Sequence, residues 1–139
     1  MDRPQDYETI TTLNISSKKL VELPSWVSEC KNLEKLNCSF NNITHLDNLL
    51  SGLKELFCQF NQITKLDNLP QTLKIICCNY NKITHLDNLP QELEILNCAN
   101  NHITHLDNLP QTLEKLECAH NIITQLDNLP ATLKKIFFG

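Results

Sequence analysis

The sequence predicts an α/β, β-rich solenoid, a right-handed superhelix with short parallel strands on its concave face and an extended or 3₁₀ convex side. Three observations carry that expectation. The heptapeptide Ile43-Thr44-His45-Leu46-Asp47-Asn48-Leu49 returns at 63–69, 83–89, 103–109 and 123–129 with only its third residue changed. Asn41, Asn61, Asn81, Asn101 and Asn121 keep the same step of 20, as do Cys38, Cys58, Cys78, Cys98 and Cys118. Twenty residues that already hold a strand leave little room for a helix, and Pro70, Pro90, Pro110 and Pro130 push the residues before them towards extended backbone.

Taken in order, residues 1–9 are a polar N-terminal extension and residues 10–139 a single repeat domain. Its first unit, 10–32, is an atypical capping repeat. Leu13, Ile15, Leu20, Leu23 and Pro24 follow a longer spacing, and Lys18 stands where the later units have asparagine. Trp26 and Val27, just after Pro24-Ser25, are expected to form a helical turn over the open end. Residues 33–132 are five 20-residue repeats. In the first of them Leu36 and Cys38, two apart on a strand, face inward, while Asn37 and Ser39 alternate outward. Ile43, Leu46 and Leu49 fill the interior of the turn back. Residues 133–139 are a terminal strand that starts one more coil.

Written from Leu33, one unit reads L-x-x-L-x-C-x-x-N-x-I-T-x-L-D-N-L. It resembles the leucine-rich-repeat signature L-x-x-L-x-L-x-x-N-x-L with cysteine in the third apolar slot, and the resemblance runs from Ile10 to the C-terminus. The short format is similar to the repeats of bacterial effector proteins built from LPxxLxxLxVxxNxLxxLP units, and to repeat proteins of mimivirus-like giant viruses. The resemblance implies a leucine-rich-repeat solenoid whose work is protein binding. It also implies residence in the cytoplasm, including a host's. Some of the effectors carry a separate ubiquitin-ligase domain, which these 139 residues are not expected to contain.

Composition narrows the function. Only two of the residues are glycine, which argues against phosphate-cradling loops and nucleophile elbows, since both need backbone at positive φ. A net charge of −4 without a basic run argues against nucleic acid. No apolar stretch nears the ~20 residues of a membrane span, and the polar start lacks the apolar core of a secretory signal. Seven cysteines with no export signal read as reduced thiols in a cytosol-like compartment. No nucleophile sits beside a base. Cys77 and His120 lie two coils apart, about 10 Å by strand spacing. The expectation is a non-enzymatic protein without cofactor or metal.

The recurring polar residues read mainly as structure. A buried asparagine amide in each turn is expected to bond backbone groups of its own and the neighbouring coil. The cysteine ladder reads as small buried hydrophobes, with Cys77 alone turned outward as an accessible thiol. Asp47, Asp67, Asp87, Asp107 and Asp127 stack along one edge, where calcium is conceivable but bonds to nearby backbone amides are the expectation. His85 and His105 occupy equivalent positions and come near enough to share a metal; a solvated row is the simpler reading.

Outward positions on the strands remain free for recognition. Laid side by side they bring Phe40, Phe57, Phe60, Ile75, Cys77, Tyr80 and Ile95 into one neighbourhood, with Asn97 and Glu117 on the same rows and lysines and glutamates around it. An apolar centre with a charged rim is interface anatomy. Strands of ~5 residues give a sheet of roughly 500–600 Å², which with one edge approaches the ~800 Å² per partner of a standard interface. The expected partner is another protein. The alternatives are that Phe40, Phe60 and Tyr80 merely shield a coil edge, or that the chain associates with itself through the concave face or the C-terminal strand. In the latter case Phe138, in the cysteine slot, plugs the end or joins an end-to-end contact.

Overall fold

The computed structural model describes residues 1–139. Seven strands form one sheet in sequence order: β1 (Thr12–Asn14), β2 (Lys35–Asn37), β3 (Glu55–Phe57), β4 (Ile75–Cys77), β5 (Ile95–Asn97), β6 (Lys115–Glu117) and β7 (Lys135–Phe137). Every neighbouring pair is parallel and in register with the repeat, so Leu36, Leu56, Ile76, Leu96 and Leu116 fall in one inward row. Each strand is three residues long, shorter than the five anticipated. Hydrogen bonds between coils nevertheless reach further, from Glu34 N–H on Thr11 to Asn41 N–H on the carbonyl of Phe60.

The interior is a single apolar file of 31 buried residues in which leucine, isoleucine and cysteine repeat at fixed positions. Cys38, Cys58, Cys78 and Cys98 are wholly buried and unbridged. Burial pushes the Cys38 thiol up to about 12 and that of Cys118 up to about 11, because a thiolate there would lose its hydration. Cys58, Cys78 and Cys98 move the same way for the same reason.

The asparagine ladder closes the turn after each strand. Asn61 Nδ2 donates to the carbonyls of Cys58 (3.1 Å) and, one coil back, Cys38 (3.0 Å), while its Oδ1 accepts Ile43 N–H at 2.9 Å. Asn81 and Asn101 repeat the pattern. Lys18, which replaces asparagine in the first coil, leaves Asn41 Oδ1 to take two backbone donors, Lys18 N–H and Leu20 N–H. Each amide thereby satisfies groups that the turn would otherwise orphan.

Coils are closed on the convex side by a turn in which the Pro70 carbonyl accepts Leu73 N–H at 3.2 Å, repeated at Pro90, Pro110 and Pro130. The convex backbone is otherwise irregular and extended; the one 3₁₀ segment, Ser25–Glu29, lies in the first unit, with Trp26 and Val27 buried beneath it. Residues 1–9 run over this cap. Trp26 Nε1 donates to the Met1 carbonyl, Arg3 pairs with Glu29 and lies over the Tyr7 ring, and Tyr7 packs on the core. At the other end β7 leaves Ile136 40% and Phe138 52% exposed, so Phe138 does not plug the coil as the cysteine slot suggested.

Two further expectations are corrected. Glycine is not what supplies positive φ: twelve other residues adopt it and neither glycine does. Asn48, Asn68, Asn88, Asn108 and Asn128 form one such row, asparagine being the side chain that tolerates this region best after glycine. The aspartates before them are not amide-bonding turn residues, since no backbone N–H donates to their carboxylates. Asp47, Asp67, Asp87 and Asp107 instead face His45, Lys65, His85 and His105 at 3.2, 3.2, 3.7 and 3.8 Å, and Gln125 Nε2 donates to Asp127. His45, His85 and His105 thus each face the aspartate of their own coil. Ser39 shares the outward side with Asn37 and is covered there, its N–H and hydroxyl both bonded to Asn37 Oδ1 (3.0 and 2.6 Å), which removes the penalty of burying them.

Candidate recognition surface

The strand register sets the rows of the concave face. Asn37, Phe57, Cys77, Asn97 and Glu117 are successive partners across β2 to β6, and Glu55, Ile75, Ile95 and Lys115 form the row beside them. Residues two apart on a strand share a face. Ile75 and Cys77 on β4 therefore lie between Phe57 on β3 and Ile95 on β5, all four half-buried and outside the core file.

Phe40, Phe60 and Tyr80 stand at the corner where each coil leaves the sheet. Their rings stack face to face, Phe40 on Phe60 at 4.5 Å and Phe60 on Tyr80 at 4.3 Å, each pair within 9° of parallel. The stack follows from the backbone. Phe40, Phe60 and Tyr80 N–H groups each donate at 3.0 Å to the neighbouring coil, and φ is 55–56° at all three, so the side chains leave the corner in one direction. An L residue in that region gives up about 1–2 kcal/mol, whereas a stacked aromatic pair returns about 0.5–1.5 kcal/mol. Three strained residues against two stacked pairs leave the ladder little net stability of its own. The rings stay 54%, 39% and 47% exposed.

Charges around the patch cancel locally. Lys35 pairs with Glu55, Lys54 with Glu34, Lys74 with Glu94, Lys115 with Glu117 and Lys134 with Glu114. Exposed pairs of this kind are worth about 0–1 kcal/mol each, so their effect is on the field rather than on stability. Lys35 also lies 5.1 Å over the Phe57 ring. Asn97 and Glu117 are engaged with each other at 2.7 Å, and Asn97 Oδ1 accepts Ala99 N–H, so this end of the surface is held rigid by its own polar groups. Cys77 is only part-buried, yet burial first, and Glu117 next, raise its thiol above the ordinary range, which keeps it protonated and a poor nucleophile.

Two features escaped the sequence. The Gln59 side-chain oxygen, between Phe57 and Phe60 in the chain, is buried without a hydrogen-bond partner. A hollow of about 560 Å³ opens where the longer first unit meets the next coil, lined among others by Lys19, Val21, Leu23, Pro24, His45 and Asp47. The mismatch between a 23-residue and a 20-residue unit was the available signal for the hollow; for Gln59 there was none. No three His, Cys, Asp or Glu side chains gather into a metal-binding group, and no helix is long and apolar enough to cross a membrane.

No family model matches the chain, and no curated protein is similar enough to count as a match, but solved structures are. YopM from Yersinia enterocolitica WA-314 superposes with a TM-score of 0.89 and 32% identity over 99% of this chain and 30% of that one. The leucine-rich-repeat domain of a Shigella effector gives 0.85 and 29% over 93% of this chain and 58% of the other. A functional domain of InlJ from Listeria monocytogenes that includes a cysteine ladder gives 0.74 and 30% over 92% and 32%. The chain thus spans between 30% and 58% of the length of these proteins. All three are bacterial; the resemblance to giant-virus repeat proteins rests on repeat format alone.

Proposed function

Because the chain is a leucine-rich-repeat solenoid of the twenty-residue class, similar in structure to bacterial effector repeats, we propose that it is a non-enzymatic binding module that holds a protein partner against its concave sheet. Leucine-rich-repeat proteins are in general interaction modules of this kind, and the effector likeness favours the cytoplasm of a host as the place of action. The observation that carries the reading is the outward apolar cluster of Phe57, Ile75, Cys77 and Ile95, continued at the coil corner by Phe40, Phe60 and Tyr80. These side chains sit on a regular sheet that would be equally well built with polar residues there. Five lysine–glutamate pairs around them balance charge locally. A neutral, apolar surface suits a protein segment and disfavours nucleic acid or an anionic membrane, both of which bind by neutralising phosphate. Asn97 and Glu117 supply the polar border.

The double substitution Phe57→Asp with Tyr80→Ser tests this. The circular dichroism spectrum and unfolding midpoint stay close to those of the parent, and the proteins captured from a host lysate are lost. Capture of the same proteins by the folded double variant overturns the reading. A second reading, self-association through the concave face or β7, draws on the exposure of Ile136, Phe137 and Phe138. Light scattering over a concentration series separates the two, since a binding module holds a constant mass.

A further inference from the structure

The aromatic corner is an incomplete stack. The corner residue is left-handed in every coil, with φ of 56° at Ser17, 55° at Phe40, 56° at Phe60, 56° at Tyr80, 55° at Asn100 and 54° at His120. Asn100 shows that asparagine fits this corner, and the convex corner uses asparagine five times out of five. Three consecutive coils instead carry rings, in a conformation that bulky side chains avoid. Ser17 N–H donates to the Ser39 carbonyl at 3.1 Å, as Phe40 N–H does to that of Gln59 at 3.0 Å, so at this residue the first coil keeps the inter-coil pairing of the rest. The spacing that sets 4.5 Å between Phe40 and Phe60 therefore continues above Phe40, where a hydroxymethyl group takes the place of a ring. Exposure follows this arrangement: 54% for Phe40, least for the middle ring, Phe60, at 39%.

We propose that the open face of Phe40 above Ser17 is a slot one ring thick, which receives an aromatic side chain from a segment of the partner and so adds a fourth plane to the stack. This deepens the proposed function and rests on reading the concave face as the recognition surface. An aromatic plane is the group that a parallel stack at 4.3–4.5 Å accepts. A guanidinium is also planar, but the planes already in the stack are all uncharged rings. Lysine is already the residue over Phe57 and Phe137, while no cation lies over Phe40. Aliphatic side chains gain contact area in the slot but no stacking.

The slot can be tested on the free protein without its partner. N-acetyl-tryptophanamide, titrated into ¹⁵N-labelled chain, is expected to shift the amides of Ser17, Lys18 and Phe40 saturably, with smaller effects at Asn100 and His120. N-acetyl-leucinamide and N-acetyl-argininamide bind more weakly by about tenfold, the scale of one lost stacking contact. Ser17→Phe fills the slot from within and Phe40→Asn removes its floor; each abolishes the saturable shifts while the remaining amide spectrum keeps its dispersion. Absence of saturable shifts in the parent, their persistence in either folded variant, or equal binding of the arginine derivative overturns the proposal. The lysate experiment on Phe57 and Tyr80 reads the wider surface separately, so a failed slot leaves that reading standing.

Discussion

Each of the five twenty-residue coils passes through the left-handed region at two corners, and the two are built on opposite principles. The convex corner places Asn48, Asn68, Asn88, Asn108 and Asn128 at φ of 54–58°, the same residue every time. The concave corner holds the same angle with Ser17, Phe40, Phe60, Tyr80, Asn100 and His120. At the first corner the side chain that relieves backbone strain is used throughout. At the second the strain is accepted in three coils and partly offset by stacking the rings. A position where stability alone set the residue would look like the first corner. The second shows which part of the surface is free to answer to something outside the chain.

The largest expected effect sharpens the contrast one residue further along. Asn61→Ala removes the amide that serves Ile43 N–H and the carbonyls of Cys38 and Cys58. With several buried groups orphaned together, at about 1–3 kcal/mol for each group left unsatisfied, urea denaturation should show a loss of several kcal/mol (~3 or more). Phe60→Asn next to it exchanges a stacked ring for the side chain best suited to the angle, and should move stability by only about 1 kcal/mol in either direction. A loss at Phe60 equal to that at Asn61 would make the aromatic corner structural after all.

Next in size is the response to alkali, which concerns the interior and leaves both corners untouched. The folded thiols of Cys38, Cys58, Cys78, Cys98 and Cys118 are raised above their unfolded value, so above pH ~9 the unfolded chain gives up protons that the folded chain retains. Their stabilisation is complete below pH ~9 and declines from there through the folded values, at up to about 1.4 kcal/mol per pH unit per thiol. Unfolding free energies at pH 7 and pH 10 should differ less in Cys58→Ala than in the parent; an equal difference would mean that the thiols are not the groups responsible. A last substitution breaks the comparison from the other side. Asn88→Phe puts an unstacked ring at the convex corner and should destabilise by about 1–2 kcal/mol, read as a drop in melting temperature, without creating a ligand site.

Much of this was legible from the repeat. A step of 20 residues aligned the strand rows, so Phe57 beside Cys77 and Ile75 beside Ile95 followed from counting alone. The inward file and the asparagine ladder followed as well, because any interior position recurring in register must pack on its own copies. The aspartate row was read differently from what folded, since it depends on a bond that a side chain two places earlier happens to make.

By itself the sequence determined the period, the register and the division between inward and outward rows, because covalent spacing and hydrophobic repetition are one-dimensional quantities. Only the tertiary structure decided that the corners are left-handed, that Phe40, Phe60 and Tyr80 leave theirs as a parallel stack, and that Ser17 interrupts it. Those outcomes depend on φ and on the distance between coils, which are set when hydrogen bonds from one coil to the next lock each corner against its neighbour.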